Sequence, residues 1–160
     1  MKRAGRKTLG VLVVGLVVLV AGCGGGGGGG RLSKSDYEQK LKGEGSQLKT
    51  AFSAVDVGKS SGTSDLTKKL TSLQHKLDRA ASHIEGLNPP KEVEADNRKL
   101  ADALHKAADK FGELEQAAKA KDQQRMQQLT QELGAVLQEG AAAARDLKAK
   151  GYDIGTLGQG

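Results

Sequence analysis

An antiparallel, up-down four-helix bundle is the fold the sequence predicts: an all-α domain behind a disordered N-terminal signal and glycine tether. Three observations point there. From residue 66 onward, leucine, alanine and other apolar residues recur at alternating spacings of four and three, which lays one apolar stripe along a helix. Aromatic residues are only 2% of the chain, with no Trp, and few β-branched residues lie outside the first 20 positions, so a sheet core is poorly supplied. Short turn signals separate the stripes, which makes sequential helices antiparallel neighbours. The 160 residues suffice for one domain. With 28% charged and 37% hydrophobic residues, the chain is no polytopic membrane protein.

The first helix is expected to open on a capping box, Ser35 with Glu38, and to carry Tyr37, Leu41, Leu48, Phe52 and Val55 inward. Gly43 and Gly45 interrupt that stripe, and Glu44 falls at a core position between Leu41 and Leu48. This pattern is expected of a frayed, solvent-exposed stretch, or else of a kink or a polar gap at Glu44. The second helix opens at Thr63 or Ser64 and runs through Leu66, Leu70, Leu73, Leu77, Ala80, Ile84 and Leu87. Asn88-Pro89-Pro90 ends it and starts the third, because proline suits only a helix's first turn. The third carries Val93, Leu100, Leu104, Ala107, Phe111, Leu114 and Ala118, with Asn97 at a core position where a polar residue fixes register. Asp122 caps the fourth, whose stripe is Met126, Leu129, Leu133, Val136, Leu137, Ala143 and Leu147. Gly151 is placed to end it, with Tyr152 folding back on the last turn. A dimer of long helical hairpins is the competing architecture.

The N-terminus reads as an address. Lys2, Arg3, Arg6 and Lys7 precede 14 uncharged residues, 9–22. A permanent membrane span needs about 20 residues, so this stretch has the length of a secretory signal's apolar region. It ends in Val20-Ala21-Gly22-Cys23, an aliphatic residue, two small ones and a Cys. That motif resembles the lipobox of bacterial lipoprotein signal peptides. The resemblance implies that residues 1–22 are cleaved and that Cys23 becomes the N-terminus. Cys23 then carries a diacylglyceryl thioether, with or without a further N-acyl chain. Two acyl chains hold a protein durably on a membrane, each buried methylene contributing about 0.8 kcal/mol. Lipidation would place the domain on the extracytoplasmic side of the bacterial cell membrane. Seven glycines follow at 24–30, a flexible coil with a mean reach of about 15 Å. The expected organisation is a signal at 1–22, lipidated Cys23 and tether at 23–31, the bundle at 32–151 and a C-terminal tail at 152–160.

Candidate chemistry is sparse. In the heptads, His75, His83 and His105 all fall on outer positions, so no inward metal or haem ligand pair arises. Asp102-x-x-His105 is the nearest approach to a di-iron motif, and it occurs once, on the outer face. Met126 at helical spacing reads as core filler rather than an axial ligand. Gly58-Lys59-Ser60 lacks the preceding strand of a phosphate loop, and Ser53 stands where its first glycine would be. No Ser/His/acid arrangement or paired acids suggests an enzyme. The formal charge of +6 falls to +2 once the four basic residues of the signal are removed, leaving 21 Lys+Arg against 19 Asp+Glu. No aromatic-rich basic strip accompanies it, so nucleic acid is not an expected partner.

The whole plan, with its Leu87-Asn88-Pro89-Pro90 junction, resembles the small helical lipoproteins of actinobacteria and related high-GC bacteria. That resemblance supplies no catalytic residues. The expected function is thus a membrane-anchored, non-enzymatic envelope lipoprotein whose bundle contacts a protein or the cell wall, with no metal and no cofactor beyond its lipid. The alternative expectation is a small-ligand, metal or haem binder that uses the bundle interior. Glu44 and Asn97 are the candidate polar positions inside the bundle.

Overall fold

The computed structural model describes residues 30–55 and 62–157, which form an all-α four-helix bundle. Val20-Ala21-Gly22-Cys23 and Gly58-Lys59-Ser60 lie outside the described residues.

Helix α1 spans Lys34–Ser53. Its N-cap is Ser33, whose hydroxyl oxygen accepts from the Asp36 amide at 3.1 Å and donates to Asp36 Oδ2 at 2.7 Å. The expected Ser35–Glu38 box is therefore shifted by two residues. The reason is hydrophobic: starting at Ser33 puts Leu32 and Tyr37 at the two positions that staple a helix start, and both join the core. Glu38 instead accepts from the Asp153 amide at 3.0 Å. The helix continues unbroken through Gly43 and Gly45.

Helix α2 spans Thr63–Glu85 after Gly62, whose φ of 123° a side-chain-bearing residue rarely adopts. Its buried set, with Leu70, Leu73, Leu77, Ala80 and Ile84, follows the expected stripe. After Pro89 and Pro90 a single 3-10 turn, Lys91–Val93, leads into α3, Glu94–Ala120. Lys121 ends α3 in the left-handed region at φ 58°. The Asp122 amide reaches back to the Ala117 carbonyl at 2.9 Å, while its side chain accepts from the Arg125 amide at 2.9 Å. Asp122 thus closes α3 and opens α4, Gln123–Ala149, in one residue. At the end of α4 the Tyr152 amide donates to Leu147 O at 3.1 Å and the Gly151 amide to Lys148 O at 2.9 Å. That pair of bonds, with Gly151 at φ 81°, is the Schellman stop the sequence predicts.

Helix α3 is the centre of the molecule and buries the longest series of residues, six of them alanines. Polar side-chain contacts give its neighbours' directions. His105–Asp78 at 3.0 Å and Thr71–Glu115 at 3.1 Å set α2 antiparallel to α3. Lys106–Glu139 at 2.8 Å and Lys110–Glu132 at 2.7 Å do the same for α4. Helix α1 runs parallel to α3, its diagonal neighbour, from Arg31–Glu94 at 2.8 Å to the Phe52–Phe111 edge contact with centroids 6.1 Å apart. This is up-down-up-down order.

The chain beyond α4 is not a loose tail. Tyr152, Ile154 and Leu157 are buried in the same core as the helices. The Tyr152 ring stands edge-on to Tyr37, centroids 5.7 Å apart, and Lys34 Nζ lies 5.0 Å above it. Lys42 pairs with Asp153 at 2.6 Å. The packed domain therefore reaches residue 157 rather than 151. Each fully buried Leu or Ile side chain contributes about 1.5–3 kcal/mol, which an exposed tail would forfeit.

Candidate functional site

Where a four-helix bundle would normally close, α1 and α4 stand apart. The tail is what separates them. Residues 152–157 turn back from α4 and run beside the first half of α1, with Leu157 seated on Gly45. A Cβ on Gly45 would lie 2.9 Å from Leu157 Cγ and 3.2 Å from the Leu157 amide nitrogen. The glycine is therefore what lets the tail approach.

Past Leu157 the gap opens into a cleft of about 510 Å³. Its floor is α3, which contributes Leu100, Ala103, Leu104 and Ala107. One wall is α1, with Leu48, Lys49, Phe52 and Ser53; the other is α4, with Val136, Leu137, Gly140 and Ala141. Small residues keep it open, because alanine and glycine put almost no side chain into the space. A Cβ on Gly140 would already sit 3.4 Å from that of Ala103, so α3 and α4 are closely packed beneath it. Gly45, Thr156 and Leu157 close one end. The Thr156 hydroxyl is buried there with no hydrogen-bond partner among the described residues.

Phe52 and Leu137 are the large apolar side chains left exposed among the described residues, at 37% and 43%, and both face this cleft from opposite walls. Both were expected in the core. The heptad places them correctly on the inner side of their helices, but the tail holds those sides apart. The lining contains, among the described residues, a single charged residue, Lys49, and no acid. Among the described residues the Lys49 ammonium makes no ion pair, while its backbone carbonyl accepts from the Ser53 hydroxyl at 2.8 Å. No His, Cys or Met among the described residues lines the cleft.

Glu44 is not part of this cavity; it lines a separate groove between α1 and α2. Gly45 faces inward in its place, and Glu44 turns to the α1–α2 side, its Oε1 3.1 Å from His83 Nδ1. A second groove of about 320 Å³ forms there, lined by Glu44, Gln47, Thr50, Lys76, Arg79 and His83 among others. Polar and charged side chains make up most of its lining, which the core residues Leu48 and Ala80 complete. A heptad count cannot separate positions 44 and 45, because neither residue is apolar.

Asn97 sits where expected and ties three helices together. It is 2% exposed, accepts from the Tyr37 hydroxyl at 3.0 Å and donates to Ile84 O at 2.8 Å. Burial of Tyr37, with the Asp96 carboxylate nearby, holds its phenol far above the usual tyrosine range. A buried acid escaped the sequence reading. Asp96, 3% exposed, accepts from Lys150 Nζ at 2.5 Å, and the same ammonium donates to Glu92 O at 2.9 Å. The Tyr152 hydroxyl adds a bond to Glu92 at 2.6 Å. The signal that could have revealed this end is the apolar spacing of Tyr152, Ile154 and Leu157 between glycines.

His75 and His83 are exposed, and His105 pairs with Asp78 and Glu85. Among the described residues no group of three or more His, Cys, Asp and Glu side chains is placed to hold a metal, and no helix is long and apolar enough to cross a membrane. No family model matches the chain, and comparison with curated proteins and with solved structures finds no similar protein.

Proposed function

We propose that the chain is a lipid-anchored, non-enzymatic lipoprotein of the extracytoplasmic face of a bacterial cell membrane, and that its bundle is a binding module working through the α1–α3–α4 cleft. The lipobox residues Val20, Ala21, Gly22 and Cys23 support the anchor. The observation that carries the binding role is the cleft, where Phe52 and Leu137 stay exposed at its two walls. Leaving both uncovered forfeits apolar burial of about 25 cal/mol per Å², a cost that a bound apolar group would offset.

Between a protein or cell-wall partner and a small ligand, the geometry favours the ligand. A concave space of about 510 Å³ matches small-molecule pockets, which run from about 300 to 1,000 Å³. A stable protein interface needs a broad surface, about 1,200 Å² or more in total. The metal and haem readings draw no support from the cleft, which among the described residues offers neither a His nor a Met as ligand. The reading requires no cofactor beyond the lipid on Cys23. Nucleic acid has no place in it.

Solvent extraction of the chain purified from membranes tests the reading. The wild-type protein is expected to release an apolar compound that Ala141→Phe, whose ring fills the cleft, does not carry. Equal recovery from both forms, or none from either, would contradict it.

A further inference from the structure

We infer that the cleft takes a single-chain amphiphile with an anionic head, its alkyl body against Ala103, Ala107 and Leu137 and its head beside Lys49. This rests on the reading of the cleft as a binding site and adds the chemistry of what enters it.

Size and shape limit the body. On α3 the floor runs from Leu100 to Ala107, seven residues apart, so the apolar track is about 10 Å long. One end is shut by Leu157 and Thr156 against Gly45. The track is narrow, floored by alanines and blind at one end. It suits one alkyl chain of medium length better than a two-chain lipid.

Charge chooses the head. Lys49 is the one charged group in the lining, no carboxylate accompanies it, and its ammonium has no ion-pair partner among the described residues. An ammonium has three donors and no acceptor, so only an acceptor completes it, and an anion does so best. A cationic head would meet like charge at the same rim. The Ser53 hydroxyl, also in the lining, already donates to the Lys49 carbonyl.

The test uses the full chain in bacterial membranes, photolabelled with diazirine analogues of decanoate and of decylamine. Peptides carrying Phe52 and Leu137 are quantified by mass spectrometry, normalised to labelling of the exposed α2 face. The carboxylate probe is expected to label these peptides about threefold more than the amine, the scale of one solvent-accessible ion pair. Lys49→Glu should reverse that preference, and Leu137→Glu, at a position exposed enough to tolerate charge, should remove the carboxylate label while helicity stays unchanged. Equal labelling by both probes, or no response to Lys49→Glu, overturns the anionic head and leaves the cleft reading standing. Labelling of neither Phe52 nor Leu137 above the exposed α2 face overturns both, and points to a protein partner or a second copy covering the cleft.

Discussion

Single residues decide how the helices of this bundle register. Asn97 sits among apolar neighbours, yet each of its polar atoms has a partner on another helix, Tyr37 on α1 and Ile84 on α2. Asn97→Ala leaves the Tyr37 hydroxyl buried without an acceptor. It should lower unfolding free energy by about 2–3 kcal/mol, read as a drop in the urea midpoint at constant slope. Tyr37→Phe removes one bond and should cost about 1 kcal/mol. A loss below about 0.5 kcal/mol for Asn97→Ala would show that the bridge does not hold register. This residue was legible in the sequence because a lone polar side chain at a heptad core position has few other uses. Asp96 was not legible. Its partner Lys150 lies 54 residues away, and nothing local distinguishes it from a solvated acid.

At the scale of elements, glycine and the left-handed turn set the geometry. Gly43 and Gly45 share one helix, but a Cβ at Gly43 meets nothing within 4 Å, whereas one at Gly45 runs into Leu157. Gly43→Ala should therefore stabilise the chain by about 1 kcal/mol through helix propensity alone. Gly45→Ala should destabilise it despite the same propensity gain, because Leu157 must move with its backbone. Thermal unfolding separates the two, and equal effects would mean that the tail is not docked. Lys121 occupies a left-handed position that costs a side-chain-bearing residue about 1 kcal/mol or more. Lys121→Gly should raise the melting temperature, since the hydrogen bonds of that turn come from the backbone. The stripe of α2 could be read almost residue by residue, and that of α3 only in part, because Ala101, Ala103, Ala108 and Ala117 are buried beside it. The start of α1 could not, because Ser33 and Ser35 offer equal caps and only the contacts of Leu32 and Tyr37 choose between them.

For the whole molecule, the cleft shows where sequence reading stops. Phe52 and Leu137 each obey the stripe of their own helix, and nothing local reports that a tail 20 residues beyond Leu137 will hold the helices apart. The charged surface gives a second prediction at this scale. Hydrogen bonds from Lys110 lower the carboxyl pKa values of Glu113 and Glu132, as Tyr152 does for Glu92, Arg31 for Glu94 and Lys42 for Asp153. Groups held below their unfolded values stabilise the fold above about pH 4.3 and lose that contribution as pH falls. Burial and the bond to Glu92 push Tyr152 up to about 12, so its contribution is complete below about pH 10 and is lost as pH rises further. The melting temperature should therefore be flat between these limits and fall on both sides, and a maximum below pH 4 would contradict the pairing. The proposed picture is of a bundle on a lipid leash that holds an apolar ligand between α1 and α4. Native mass spectrometry of the chain released from membranes tests it most directly. The predicted spectrum shows a chain that begins at lipid-modified Cys23 and carries one non-covalent amphiphile, which Ala141→Phe lacks. A chain that retains residues 1–22 with an unmodified Cys23, or a lipidated chain that carries nothing, would contradict it.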